Sequence, residues 1–184
     1  GDDVMDKVMA HHLDNGGMSR FEKLRFYHRQ YLGVPLENDE LAKLADKFSN
    51  LVVDKVIAAP YVHGAYEFLS EYHSIYDLYI STGTPEAEMD RILKVKKIIG
   101  FFKGVYGSPE IKSEHIRKIL NKNNFKNNEV IFVGDSSSDG DAARNNNIPF
   151  IARVTGKNGP LESEKIKITD FENFSEQIRN NIFY

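Results

Sequence analysis

The sequence predicts an α/β fold in which a parallel sheet, covered by helices on both faces, is preceded by a separate helical domain. Residues 2–58 contain amphipathic helical patterns and no pattern typical of a strand. From about residue 59, short apolar runs alternate with helical patterns. Because parallel strands need long crossover connections, this alternation is typical of a three-layer α/β sheet. We therefore predict a helical domain over residues 1–58 and an α/β core over residues 59–184.

Local signals divide the helical domain into three helices. The first amphipathic pattern breaks at Asn15-Gly16-Gly17. Ser19 and Glu22 then have the spacing of a capping box, in which each side chain binds the other residue's backbone N–H. The helix that follows ends before Gly33, and a third helical pattern covers residues 41–52.

The core contains four candidate strands separated by helical patterns. The third is continuous and apolar, as expected of a fully buried parallel strand. Thr84 and Pro85 predict the start of the helix after the first strand, with Pro85 at its first position. The four strands are predicted at residues 78–81, 104–107, 130–133 and 150–154.

Composition excludes several classes of protein. The 184 residues contain no cysteine, which excludes disulfides, thiolate metal sites and cysteine nucleophiles. A net charge of −3 offers no basic surface for nucleic acid or for an anionic membrane. No run approaches the roughly 20 apolar residues of a membrane span. We expect a soluble, cytoplasmic protein that binds neither nucleic acid nor a membrane.

Polar groups follow three of the predicted strands. They are the segments Ser81–Thr84 and Gly134–Asp139 and the side chain of Lys112. Ligands bind at the carboxyl ends of strands in open parallel sheets. A hydroxyl and an ammonium group can hold a phosphoryl group, and paired carboxylates suit Mg²⁺. The order of these groups along the chain therefore favours a phosphate site.

In these motifs the chain resembles the haloacid dehalogenase superfamily, a group of Mg²⁺-dependent aspartyl phosphotransferases. The resemblance covers about residues 60–154. Thr82 matches the hydroxyl of that family's second motif, with Ser81 as the alternative. Lys112 matches the lysine of the third motif, and Gly134-Asp135-x-x-x-Asp139 matches the acidic fourth motif. The helical domain resembles the cap that such proteins insert into a Rossmann-like core.

The resemblance implies a Mg²⁺-dependent phosphatase acting on a small phosphorylated metabolite through an aspartyl-phosphate intermediate. Thr82 and Lys112 would act in catalysis on the phosphoryl group. Asp135 would bind Mg²⁺ directly, and Asp139 would hold a metal-bound water or orient Lys112. The residues that would contact phosphate or substrate are Ser81, Gly83, Ser136 and, from the cap, Arg20.

One motif of the family has no match in the chain. The family's first motif is a strand ending in Asp-x-Asp, which supplies the nucleophile and the general acid. Here Asp-x-Asp occurs at Asp139-Gly140-Asp141, beyond the strand end and inside the fourth motif. We therefore expect that the chain begins within the cap and lacks the central strand of the sheet. Either the missing segment is a partner supplied separately, which we favour, or the fragment is unusually stable without it. The chain alone would be inactive.

Other interpretations remain. A non-catalytic binding or regulatory protein on the same scaffold is the main alternative, and a phosphomutase or a dehalogenase is another. Asp135, Ser137 and Asp139 match the first positions of an EF-hand loop, but Asn146 stands where that loop needs Glu. A receiver domain would require its Asp before the Thr and Lys in sequence, whereas Asp135 follows Thr82 and Lys112.

Overall fold

A computed structural model describes residues 2–156 and 159–182. Its first part is helical, and a short π-helical turn at His28–Leu32 ends the second helix. Ser19 and Glu22 form the predicted capping box at the start of that helix. The helices of this part are α1 (Asp2–Asp14), α2 (Arg20–Tyr27) and α3 (Asn38–Ala58), so α3 ends at the last residue of the predicted cap.

The second part alternates strands and helices. Its helices are α4 (Ala65–Tyr72), α5 (Glu86–Val95), α6 (Lys112–Asn123), α7 (Ser137–Asn145) and α8 (Phe174–Ile182). Its strands are β1 (Tyr79–Pro85), β2 (Gly104–Ser108), β3 (Phe132–Gly134), β4 (Phe150–Arg153) and β5 (Lys167–Ile168). The alternation confirms the predicted α/β class.

The strands are parallel, and they form two sheets. In the first, β1 pairs with β2, and Ile80 lies opposite Val105. In the second, β4 lies between β3 and β5, and Val133 lies opposite Ile151. Within residues 2–156 and 159–182, no hydrogen-bonded ladder joins β1 to β3. Each of these two strands therefore has one edge without a paired strand in the described structure.

Helices cover both faces of the second sheet. Phe150 packs against an apolar cluster from α6 and α7 that includes Ile116 and Ala143. Ile151 belongs to a second cluster with Phe174 of α8. Because successive strand residues point to opposite faces, the two clusters lie on opposite sides of β4. The helix–sheet–helix layering of a Rossmann-like core is thus present.

Some predicted elements differ from the structure. Pro85 ends β1 and immediately precedes α5, whose first residue is Glu86, so its predicted place inside the helix is wrong. The strand predicted at residues 130–133 is shorter, and its residues are half-buried rather than buried. The reason is the edge of β3 that has no paired strand among the described residues. Sequence patterns did not indicate β5 or α8.

None of the described helices has the length and apolarity that crossing a membrane requires.

Ile151 gives a test of the core. Its side chain is 1% exposed, so Ile151→Ala leaves a cavity and should lower the free energy of unfolding by about 2–5 kcal/mol. The measurement is urea unfolding followed by circular dichroism. Val95→Ala is the control, because Val95 is 53% exposed, and its change should stay within about 0.5 kcal/mol. Equal losses in the two variants would contradict the assigned core.

Candidate active site

An ion pair between Lys112 and Asp139 lies at the centre of the candidate site. Lys112 Nζ is 2.6 Å from Asp139 Oδ1, and the two side chains are 12% and 5% exposed. Lys112 is the first residue of α6, and Asp139 lies in the first turn of α7. The amino end of a helix favours a carboxylate, which stabilises Asp139 at this position. The pair joins the segment after β2 to the segment after β3.

Ser136 and Gly134 fix the position of the other carboxylate oxygen of Asp139. Ser136 donates two hydrogen bonds to Oδ2, from its backbone N–H at 3.1 Å and from its hydroxyl at 2.5 Å. A Cβ atom on Gly134 would lie 2.4 Å from both Cβ and Cγ of Asp139. Glycine is therefore required where the carboxylate approaches the end of β3. The predicted motif Gly134–Asp139 folds as one unit around this side chain.

Asp135 has a different environment. Its side chain is 64% exposed, and its carboxylate lies 3.8 Å from a guanidinium nitrogen of Arg153. Both residues line a cavity of about 220 Å³ that Thr155 and Leu161 also border. Asp135 therefore presents a carboxylate to solvent, one residue before the Ser136 that binds Asp139.

The two hydroxyls predicted to follow the first strand are the third and fourth residues of β1, and they have different partners. Thr82 Oγ1 accepts a hydrogen bond from the backbone N–H of Thr84 at 3.1 Å. Ser81 Oγ is bound to Nδ1 of the buried His115 at 2.9 Å. Adjacent strand residues point to opposite faces, so the two side chains diverge. The Ser81 hydroxyl is thus bound to a residue of α6. Thr82, the other candidate for the hydroxyl of the second motif, has no side-chain partner for its hydroxyl among the described residues.

The cap touches the site through the turn at Gly17. A Cβ atom there would lie 3.0 Å from Lys112 Nζ and less than 2.5 Å from the hydroxyls of Ser136 and Ser138. Gly83 of β1 packs against the same turn, since its Cβ would lie 3.2 Å from the Gly17 carbonyl oxygen. This turn therefore covers Lys112 and contacts both sides of the site. The sequence showed Gly17 only as a helix break; its lack of a side chain was the available signal.

Arg20 was predicted to bind an anionic group of the substrate, but in the structure it binds Glu88. Its guanidinium donates to both carboxylate oxygens of Glu88, at 2.7 and 2.8 Å, and to the hydroxyl of Ser49. The Arg20 side chain is 10% exposed and lies over the ring of Phe48. Glu88 belongs to α5 of the core. Arg20 therefore joins the cap to the core in this structure.

The residues of the site fit a magnesium ion in part. In residues 2–156 and 159–182, no group of three acidic or histidine side chains converges as a metal site. Mg²⁺ commonly uses one or two carboxylates and completes its shell with waters and phosphate oxygens. The exposed carboxylate of Asp135 meets that requirement. Both oxygens of Asp139 are already bound by Lys112 and Ser136, which suits the orientation of Lys112 better than direct coordination.

Gly134→Ala tests the packing around Asp139. The added methyl group would collide with that side chain, so we expect a loss of about 1–3 kcal/mol in unfolding free energy, measured by denaturant titration. Gly100→Ala is the matched control, because nothing lies within 4 Å of its Cβ position. A Gly134→Ala variant as stable as the Gly100→Ala variant would show that the Asp139 side chain does not pack against Gly134.

Glu88→Gln tests the contact between cap and core. Arg20 would lose its charged partner at a largely buried position, and hydrogen bonds to charged groups contribute about 1.5–3 kcal/mol. We expect a loss of that size in unfolding free energy. Asp54→Asn is the control, because Asp54 of α3 and Arg91 of α5 also join cap to core but are 79% and 62% exposed. That exposed pair should contribute less than about 1 kcal/mol. Equal effects would refute the buried contact.

Similar folds occur in solved structures. A β-phosphoglucomutase from Clostridium difficile aligns with a TM-score of 0.71 at 16% identity, over 92% of this chain and 81% of its own. A predicted phosphoglycolate phosphatase from Haemophilus somnus aligns with a TM-score of 0.70 at 18% identity, over 89% and 79%. A protein from Bacillus subtilis described as a magnesium-bound HAD-hydrolase aligns with a TM-score of 0.69 at 16% identity, over 96% and 82%. At these identities the likeness shows the fold alone.

The search of curated proteins found no match. A family model described as haloacid dehalogenase-like hydrolase matches residues 20–153, which include Thr82, Lys112, Asp135 and Asp139. The match spans most of the chain and confirms the resemblance drawn from the motifs. The chain belongs to the haloacid dehalogenase-like hydrolase family.

Proposed function

We propose that this chain forms the cap and most of the core of a Mg²⁺-dependent phosphatase that acts on a small phosphorylated metabolite. The observation that carries the proposal is the buried pair of Lys112 and Asp139, together with the exposed carboxylate of Asp135 in the same motif as Asp139. An ammonium held in a nearly dry position is well suited to neutralise charge on a phosphoryl group. The family supplies the hydrolase class.

The proposed nucleophile lies on a further strand. β1 and β3 each have an edge that is unpaired among the described residues, and both strands are parallel to their neighbours. A parallel strand bound to these edges would end beside Thr82 and Asp135. We assign to that strand the Asp-x-Asp motif, supplied by a segment outside the 184 residues or by a separate chain.

Each residue of the site then has a role. The first Asp of the added strand would attack phosphorus, displacing the alcohol, and the second would protonate the leaving oxygen. Water would then hydrolyse the aspartyl phosphate. Thr82 would donate a hydrogen bond to a phosphoryl oxygen, Lys112 would offset its negative charge, and Asp139 would keep Lys112 in place. Bound Mg²⁺, with Asp135 among its ligands, would supply positive charge for phosphoryl transfer.

Lys112→Ala tests the assignment in the protein completed with the Asp-x-Asp segment. Removal of a preorganised electrostatic group typically lowers kcat about 10²–10³-fold, and we expect a loss of that order on a generic aryl phosphate. Asp135→Asn should raise the Mg²⁺ concentration needed for half-maximal rate. Lys122→Ala is the control: Lys122 is exposed near the end of the same helix, and its removal should change kcat less than twofold.

The 184-residue chain alone provides a second control, since it should show no turnover. Mg²⁺-dependent turnover by that chain, abolished by Asp135→Asn, would place the nucleophile within it and contradict the added strand. Full activity of Lys112→Ala in the completed protein would contradict the phosphatase site itself.

A further inference from the structure

His115 is a buried titratable residue that the proposed reaction does not use. It lies on α6, and its side chain is 1% exposed. Nδ1 is bound to the hydroxyl of Ser81 on β1 at 2.9 Å. Nε2 is buried without a hydrogen-bond partner among the described residues, and the Glu110 carboxylate lies 3.9 Å away. At this depth the ring cannot contact substrate.

Burial favours the neutral form of the His115 ring. Burial lowers the pKa of His115. The charge of Glu110 and a hydrogen bond with the Gly107 backbone partly offset this effect, whereas the charges of Lys118 and Lys112 add to it. A neutral imidazole has one N–H and one acceptor nitrogen. The hydrogen bond with Ser81 can form in either tautomer, because a hydroxyl can donate or accept.

The position of His115 connects two groups of the candidate site. It follows Lys112 by three residues, which puts both side chains on neighbouring positions of one face of α6. Ser81 directly precedes Thr82 on β1. The hydrogen bond between His115 and Ser81 therefore sets how α6, with Lys112 at its start, lies along the strand that carries Thr82.

We propose that His115 is a positioning residue that holds Lys112 and Thr82 in register for one phosphoryl group. This inference rests on the proposed function. A buried polar pair can usually be replaced by apolar groups of similar shape at little cost in stability. The hydrogen bond adds direction, because it fixes one ring orientation against one hydroxyl, which apolar packing alone does not.

The test uses the protein completed with the Asp-x-Asp segment and compares His115→Leu, His115→Asn and Ser81→Ala. We expect His115→Leu to lower kcat/KM for an aryl phosphate at least tenfold and to weaken binding of inorganic phosphate by a similar factor. His115→Asn can still offer a polar group to Ser81 and should recover most of the activity. The double variant that combines His115→Leu with Ser81→Ala should be no worse than His115→Leu alone, because both changes remove the same bond.

Several outcomes would overturn the inference. One is a folded His115→Leu variant within twofold of the parent in both measurements, and another is an Asn variant that loses as much as the Leu variant. If His115→Leu does not fold, Ser81→Ala is the test, because it removes the same hydrogen bond from the strand side. Activity of Ser81→Ala within twofold of the parent would then refute the positioning role. A parent protein without turnover but with phosphate binding that His115→Leu weakens would refute the phosphatase and keep the positioning role. A parent that neither turns over nor binds phosphate would refute both.

Discussion

The ion pair between Lys112 and Asp139 determines which residues can lie next to it. Two charges this deeply buried are costly unless they are paired and hydrogen-bonded, and here each has a fixed place at the beginning of a helix. Ser136 holds the carboxylate, and Gly134 leaves it room. The turn at Gly17 must also lack a side chain to lie over the ammonium. Three segments far apart in sequence therefore depend on one contact.

Local signals predicted those parts of the fold and site that nearby residues determine. The capping box of Ser19 and Glu22 needs only a spacing of three, and the motif Gly134–Asp139 closes on itself within six residues. Strand positions followed from short apolar runs between helical patterns. β5 contains two residues, too few for any periodic signal.

Local signals could not predict contacts between residues that are far apart in sequence. Arg20 was expected to meet a substrate, yet its partner Glu88 lies 68 residues away, and nothing in either local sequence indicates the other. Ser81 was the alternative to Thr82, and its partner His115 lies 34 residues later in the sequence. In both cases a charged or polar group that looks free in sequence is satisfied by the packing of another element. Burial requires that satisfaction, but only tertiary structure determines which group supplies it.

The helices explain how one site spans two separate sheets. α6 packs on β1 while its apolar face shares a cluster with α7, which itself lies against β3 and β4. The layer of α6 and α7 therefore connects the sheets where strand pairing does not. It also places Lys112 and Asp139 at the same end of both sheets, because each helix begins where its preceding segment leaves a strand end. A strand added between β1 and β3 would meet a site whose charged groups are already oriented by this layer. Preorganisation of that kind is what electrostatic catalysis requires of a scaffold.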